Sequence, residues 1–490
     1  MAIKKLYSRK DFLKLSAVLS AGLFTSIYSE ANANQVIDSA SGKADANKKS
    51  LEKSSSTTSV EFIRKDDAQY ESLRKGFNKR INKFPLVIAM CSSTKDVVEA
   101  IQYANNNNLS VAVKSGGHSM EGFSCNNDGL VINLSRMNDV EFLDNHKIKV
   151  GPGCNLSQLY DQTLPRKRII PAGTCGTVGI GGLTLGGGYG LFSRKYGLTC
   201  DSLLQATIVD GNGVVHSTKD DPELLWALRG GGAGNFGVAT ELVFQSYEAP
   251  DTVQAHHLKA RKLTAERAKD LLEKWFAFAQ NLPNSCFSGF VLNGGTLNIL
   301  VTNFEPHTPE LQLLLENLAT AMDEFKSSPA DEIAKKLKRY YGSLVPVYFK
   351  NSSAGFYRSF KDIESFITGA LEKVVSTPGI IYQVNTLGGN IANSDFEKAS
   401  SYPHRAYNFI SELQAYWEVP TREEKLKTVS QEILKIFSSN GIKSQYINYC
   451  SLEFKDWQTA YYGKNYARLQ EVKSRYDPNN VINHPQSIKS

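Results

Sequence analysis

The 490 residues contain no Cys-x-x-Cys pair and no cysteine–histidine cluster at zinc spacing, which excludes a structural zinc module and leaves no metal site to expect. Long Lys/Arg blocks are missing too. The formal net charge of +7 includes +3 from residues 1–33, where Lys4, Lys5, Arg9, Lys10 and Lys14 face Asp11 and Glu30, so the remainder carries +4. No nucleic-acid partner is expected from that balance. Beyond the N-terminus no apolar run reaches the roughly 20 residues that cross a bilayer, so stable membrane insertion is not expected either. No repeat of solenoid period is visible. An apolar fraction of 41% and a charged fraction of 21% exclude wholesale disorder. At roughly 150 residues per domain, the length predicts about three structural units or two large ones.

What is present begins with an export signal over residues 1–33. A basic stretch (KKLYSRKDFLK) is followed by an apolar run over residues 15–27 and by Ala31-Asn32-Ala33 placed for cleavage before Asn34. Within it, SRKDFLK is similar to a twin-arginine motif with lysine replacing the second arginine. A periplasmic or secreted location follows. Residues 34–59 are rich in Ser, Lys, Ala and Asn and read as a flexible linker. All seven cysteines lie after the signal. In an oxidising compartment six could pair, and the seventh must be engaged otherwise.

Residues 60–248 alternate short strands with helical patterns: PLVIAMC, the helix DVVEAIQYANNNN, then VAVK entering a glycine turn, GLVINL, KIKVGPG, and the hairpin QATIVDGNGVVHS turning at Gly211-Asn212-Gly213. Residues 249–445 have fewer glycines. Helices TAERAKDLLEKWFAFAQ and PELQLLLENLATAMDEFK there alternate with strands such as SGFVLNGGTLNILVTNF. Residues 446–490 form a closing segment, helical through Val472 and turning at Asp477-Pro478. The texture predicts an α+β fold.

Much of the chemistry lies in glycine. In VAVKSGGHS, Gly116, Gly117 and two hydroxyls follow a strand directly, and successive backbone N–H groups in such a turn make a nest for a pyrophosphate. It is neither a Walker A loop nor a GxGxxG turn. PAGTCGTVGIGGLTLGGGYG interleaves glycine with small apolar residues too densely for an ordinary helix or strand, and predicts backbone lying flat against a planar ligand. RGGGAGNFGV adds a third wall. Three such walls predict an extended, phosphate-bearing ligand.

Together VAVKSGGHSMEGFS, PAGTCGTVGIGGLTLGGGYGLFSRKYGLTCDSL, LRGGGAGNFGV and NYARLQEVKSRYDPNNVINHPQSI resemble the berberine bridge enzyme-like FAD-linked oxidases, within the vanillyl-alcohol oxidase and p-cresol methylhydroxylase (PCMH) superfamily. Within that family they resemble bacterial carbohydrate and oligosaccharide oxidases. The resemblance runs from about residue 62 to residue 488. It implies a bipartite PCMH-type FAD-binding domain, an inserted antiparallel sheet flanked by helices that covers the flavin, and a C-terminal segment returning to the FAD domain. Lys114 and Gly176 stand where arginine and proline are frequent.

The resemblance implies bicovalent FAD, with His118 bonded to the flavin 8-methyl carbon and Cys175 to carbon 6. An imidazole nitrogen and a thiolate are natural nucleophiles toward an electron-poor ring. Around them it implies cofactor contacts from Lys114, Ser115, Gly116, Gly117, Ser119 and Gly122 on the first wall. On the second it implies Gly173, Thr174, Thr177, Val178, Gly179, Gly181, Gly182, Gly186, Gly187 and Gly190. Gly237, Val238, Asn465 and Tyr466 complete the set. Val178 occupies the position associated with oxygen access, where valine goes with oxidases, so dioxygen is the expected partner beside a small-molecule substrate.

For the catalytic base four residues stay open. In FISELQAYW, after Pro403-His404-Arg405, strand alternation puts Glu412, Gln414 and Tyr416 on one face. Tyr189 in GGGYG matches a tyrosine lining the substrate site. Met120, where relatives carry tyrosine, and Tyr462 are expected at the substrate pocket, and Trp417 and Trp457 are candidates for stacking on sugar faces. The expected activity is oxidation of a sugar or oligosaccharide hydroxyl, yielding hydrogen peroxide. Alternatives are oxidation or dehydrogenation of a phenolic or alkaloid-like metabolite, and a binding protein without turnover.

Overall fold

Strand Val87–Met90 is apolar and buried at every position, a pattern that requires cover on both faces. It runs parallel to Leu130–Asn133, which runs parallel to Val111–Lys114, and Glu61–Ile63 closes the other edge antiparallel. Helix Thr94–Asn106 starts at a capping box of Ser93 and Asp96 and lays Val97, Ala100, Ile101 and Ala104 into the core shared with this sheet. The computed structural model describes residues 60–490. The expected export signal and linker, residues 1–59, lie outside the described residues.

A second, antiparallel sheet has the order Val140–Phe142, Lys147–Val150, Val238–Gln245, Leu203–Val209, Val215–Ser217. Its last hairpin turns at the expected Gly211–Gly213, where Asp210 Oδ1 accepts from the backbone N–H of Asn212 and of Val214, each at 2.8 Å. The second glycine-rich wall departs from expectation in one respect: Ile180–Leu185 is helical. In this helix Gly181 comes close to the Pro152 carbonyl, which an added Cβ would meet at 2.8 Å, and the Thr184 hydroxyl donates back to the Ile180 carbonyl at 2.7 Å. Small residues serve here for close approach as well as for turning.

The third sheet is antiparallel, ordered Glu324–Ser327, Thr252–Ala260, Thr296–Asn303, Cys286–Asn293, Ile380–Thr386, Phe409–Trp417, Tyr348–Tyr357, with Asp331–Glu332 beside Thr252–Ala260. Leu413, Ala415 and Trp417 pack with Ile380, Tyr382 and Val384 against helices Ala265–Gln280, Ile367–Ser376 and Glu423–Ser439. Trp417 is thus core, as is Trp457 in the cluster of the second sheet, which removes both from sugar stacking. The expected helix PELQLLLENLATAMDEFK stops at Ala319, and Glu324–Ser327 becomes an edge strand. The closing segment is two helices, Trp457–Tyr462 and Tyr466–Tyr476, broken at Gly463 with φ of 52°.

All seven cysteines are unbridged. Cys91, Cys125, Cys200 and Cys286 sit in four different core clusters, so the pairing that an oxidising compartment would allow is not formed.

Candidate active site

A cavity runs between the three glycine-rich segments and the returning C-terminal segment. Ser115, Gly116, Gly117, His118, Ser119 and Met120 line it from the first, Val178, Gly179, Gly181 and Gly182 from the second, and Ala233, Gly234 and Gly237 from the third. The walls interlock: an added Cβ on Gly116 would fall on the Gly179 backbone, and one on Gly179 would fall on Ser115 Oγ. Gly182 instead faces open space, with nothing within 4 Å of where its Cβ would stand. Gly117 takes φ of 72°, a conformation that glycine adopts at no steric cost. A cradle of bare backbone with apolar sides fits a flavin dinucleotide.

His118 stacks on Phe77 with centroids 4.1 Å apart and planes 19° apart, and its Nε2 lies 2.9 Å from the Thr177 hydroxyl. Burial pushes its pKa down to about 3, so the ring is neutral and nucleophilic. Cys175 Sγ lies 3.8 Å from the same hydroxyl. Burial pushes the Cys175 thiol up, opposed by hydrogen bonds from the Thr177 side chain and from the backbone N–H groups of Thr177 and Val178. The two expected anchors therefore flank one threonine.

Above them lies the inner face of the large sheet. Register sets Ser353, Glu412 and Gln383 side by side, then Asn351, Gln414 and Ile381 in the next row. Gln414 Nε2 donates to Glu412 Oε2 at 2.7 Å and to Gln383 Oε1 at 3.2 Å. Gln383 Nε2 donates to Asn385 Oδ1 at 3.0 Å, and Asn385 Nδ2 donates to the Tyr189 oxygen at 2.9 Å. Tyr189 and Tyr449 share a hydrogen bond of 2.7 Å, and Tyr449 lines the cavity. Burial pushes the pKa of Glu412, 2% exposed, up to about 8. Burial and the nearby Glu412 also push the Tyr189 phenol up. Tyr416 accepts from Asn351 Nδ2 at 2.8 Å. Glu412, Gln414 and Tyr416 do share a face, and the amide of Gln414 holds Glu412 rather than offering a basic site.

Other expected residues stand elsewhere. The Lys114 ammonium donates to the carbonyls of Leu73 at 2.7 Å and Lys75 at 2.5 Å, tying the sheet to a helix end instead of facing the cavity. Gly173 accepts the Tyr160 hydroxyl at 2.7 Å, and an added Cβ on Gly190 would fall on the Ala172 carbonyl. Gly122 packs on Ile81, Gly186 on Asn448 and Gly187 on Tyr402. Val238 is core, and Thr174 lies outside the cavity lining. Tyr462 is buried near Asn235, Asn465 Nδ2 donates to the Ser401 carbonyl at 3.0 Å, and Tyr466 packs against Trp457 and Tyr462.

The C-terminal segment reaches the cavity through Tyr449, Cys450, Tyr461, His484 and Gln486 instead. His484 stacks on Phe123 with centroids 4.4 Å apart, and burial pushes its pKa down to about 3. Tyr446 and Asn448 bolt this segment to the second wall. The Tyr446 oxygen accepts from Gly188 N at 2.9 Å, and Asn448 Nδ2 donates to the Leu183 carbonyl at 3.0 Å. Gln383 and Asn385 were readable as polar residues two apart in the apolar strand IIYQVNT; the role of Tyr449 had no such signal.

Comparison with known proteins agrees with this geometry. Residues 85–219 match the FAD binding domain family and residues 445–489 the berberine and berberine-like family. An uncharacterised FAD-linked oxidoreductase, YgaK of Bacillus subtilis, is 30% identical over 87% of this chain and 96% of its own. Glucooligosaccharide oxidase of Sarocladium strictum is 28% identical over 88% of this chain and 92% of its own. The crystal structure of aclacinomycin oxidoreductase is 26% identical and superposes with a TM-score of 0.80 over 88% of this chain and 100% of that one.

Proposed function

Because the chain belongs to the berberine bridge enzyme-like family of FAD-linked oxidoreductases, we propose that it is an exported oxidase whose FAD is bonded to both His118 and Cys175. Its substrate is an alcohol carbon of a sugar or oligosaccharide. FAD held in the cradle of Gly116, Gly117, Val178, Gly179 and Gly234 would supply the hydride-accepting and electron-passing chemistry, with dioxygen as the acceptor reduced to hydrogen peroxide. The chain's own residues position the alcohol and remove its proton. Glu412, Tyr189 and Tyr416 are the groups suited to the proton, since Gln414 is an amide that donates to Glu412.

The observation that carries the sugar reading is the row Glu412, Gln414, Gln383, Asn385, Tyr189 and Tyr449. Tyr449 lines the cavity, and the hydrogen bonds running from it through Tyr189, Asn385, Gln383 and Gln414 to Glu412 make a linked polar row that suits a ligand dense in hydroxyl groups. The likeness to a glucooligosaccharide oxidase supports the same substrate class. Val178 on the cavity wall supports dioxygen as acceptor. Peroxide release from aldoses and oligosaccharides, compared with phenolic alcohols, tests the proposal; release from the phenolic panel alone would overturn the substrate class.

One observation favours that second reading. Met120, Phe77, Phe349, Val347 and Tyr416 gather into an apolar cluster at the His118 end. An aromatic metabolite would pack there, and the likeness to aclacinomycin oxidoreductase is in keeping with it.

A further inference from the structure

One hydroxyl stands between both side chains expected to carry the cofactor: Thr177 Oγ1 is 2.9 Å from His118 Nε2 and 3.8 Å from Cys175 Sγ. We infer that Thr177 is a positioning residue for flavin attachment, accepting the His118 Nε2–H and donating its own O–H to the Cys175 sulfur. The inference rests on the double-attachment reading.

Hydrogen-bond bookkeeping selects this arrangement. A neutral imidazole carries a proton on one nitrogen and a lone pair on the other. If Thr177 accepts from Nε2–H, the Nδ1 lone pair is free to meet carbon and the hydroxyl proton is free for sulfur. The reverse, with Thr177 donating to Nε2, would protonate Nδ1 and withdraw the donor from Cys175. The stack on Phe77 holds the ring plane and so the direction in which Nδ1 points. The Val178 N–H donates to the Cys175 carbonyl at 3.1 Å, a tight turn that folds Thr177 back beside the sulfur. The hydroxyl and the two backbone donors at Cys175 all favour the thiolate, the form that attacks.

The step balances with dioxygen as oxidant. For each attachment an N–C or S–C bond forms, one proton leaves the side chain and another leaves the flavin carbon. The two electrons taken up by the ring pass to dioxygen, which takes both protons and departs as hydrogen peroxide. Thr177 is unchanged.

The test is a mass measurement rather than turnover. Full-length protein is produced with its flavin, denatured in acid and digested, and the peptides bearing His118 and Cys175 are weighed. Wild type is expected to give a flavin joined to both. Thr177→Val, which removes the hydroxyl at constant volume, is expected to lower that doubly joined fraction about tenfold, near the worth of one hydrogen bond to a charged group. Thr177→Ser is expected to restore it. An equal doubly joined fraction in Thr177→Val and wild type overturns the inference while the double attachment stands. Should Thr177→Val fail to fold, NMR of the wild-type flavin peptide decides: a bond through Nδ1 supports the inference and one through Nε2 overturns it. Wild type without any flavin-joined peptide overturns both readings.

Discussion

Tyr189 and Tyr449 share a 2.7 Å hydrogen bond between hydroxyls that are 260 residues apart in sequence. The bond joins the second glycine-rich wall to the C-terminal segment, and Asn385 connects it to the inner face of the large sheet. Three chain segments thus meet at one phenol, beside the cavity that fits the flavin. Glu412 lies at the other end of the same row.

Glu412 sets the first expectation. Its pKa of about 8, raised by burial, leaves it protonated at neutral pH, and its base form grows in as pH rises through 8. If it takes the substrate proton, kcat/KM rises through that pH, and Glu412→Gln loses both the rise and about a hundredfold or more of rate. The folded pKa stands above the ordinary 4.5, so the protonated form stabilises the fold below 4.5 and that contribution is lost as pH climbs to 8. Denaturant titrations at pH 5 and pH 9 are therefore expected to show a smaller pH loss in Glu412→Gln than in wild type. A wild-type rate profile flat through pH 8 removes Glu412 as the base and leaves the proton to a tyrosine of the site, Tyr189 or Tyr416.

The anchors predict separable chemistry. His118→Ala and Cys175→Ala each leave flavin bound through the remaining bond, and the double variant releases it on denaturation. Absorbance of acid-precipitated protein checks this. Flavin retained by the denatured double variant contradicts the assignment.

Val178 lines the cavity beside His118. Val178→Leu narrows the approach to the flavin and is expected to slow reoxidation by dioxygen about tenfold or more, an added barrier near 1.4 kcal/mol, while substrate reduction changes little. Rapid mixing separates the two half-reactions, and equal slowing of both removes the gating role.

Arg405 and Asp201 form a buried bidentate pair, with Arg405 Nη1 3.0 Å and Nη2 2.5 Å from the two carboxylate oxygens. Arg405 also holds the Ile391 carbonyl and the Ser400 hydroxyl. Arg405→Met leaves Asp201 buried without its cation and is expected to cost about 3–5 kcal/mol. Denaturant unfolding measures it; a change within 1 kcal/mol would contradict a structural role for the pair.

The sequence made much of this legible where local pattern decides geometry. Alternation in FISELQAYW placed Glu412, Gln414 and Tyr416 on one face, and the glycine spacing marked three walls that do line one cavity. It failed where long-range packing decides. Lys114 is expected as a cofactor contact beside Gly116, yet carbonyls of Leu73 and Lys75 draw its ammonium away. Tyr462, Asn465 and Tyr466 are expected near the flavin, but Tyr462 is core, Asn465 is held by the Ser401 carbonyl and Tyr466 packs on Trp457, while Tyr449 and Tyr461 reach the cavity instead. Tyr449 is one tyrosine among 22 until the fold brings it to Tyr189.

The most direct measurement is anaerobic mixing of the purified protein with aldoses and oligosaccharides while the oxidised-flavin absorbance is followed, and then the admission of air. The expected result is bleaching by a sugar, followed by recovery of colour with release of one hydrogen peroxide per flavin. A flavin that no sugar bleaches would contradict the proposed activity, and a colourless protein would contradict the cofactor assignment beneath it.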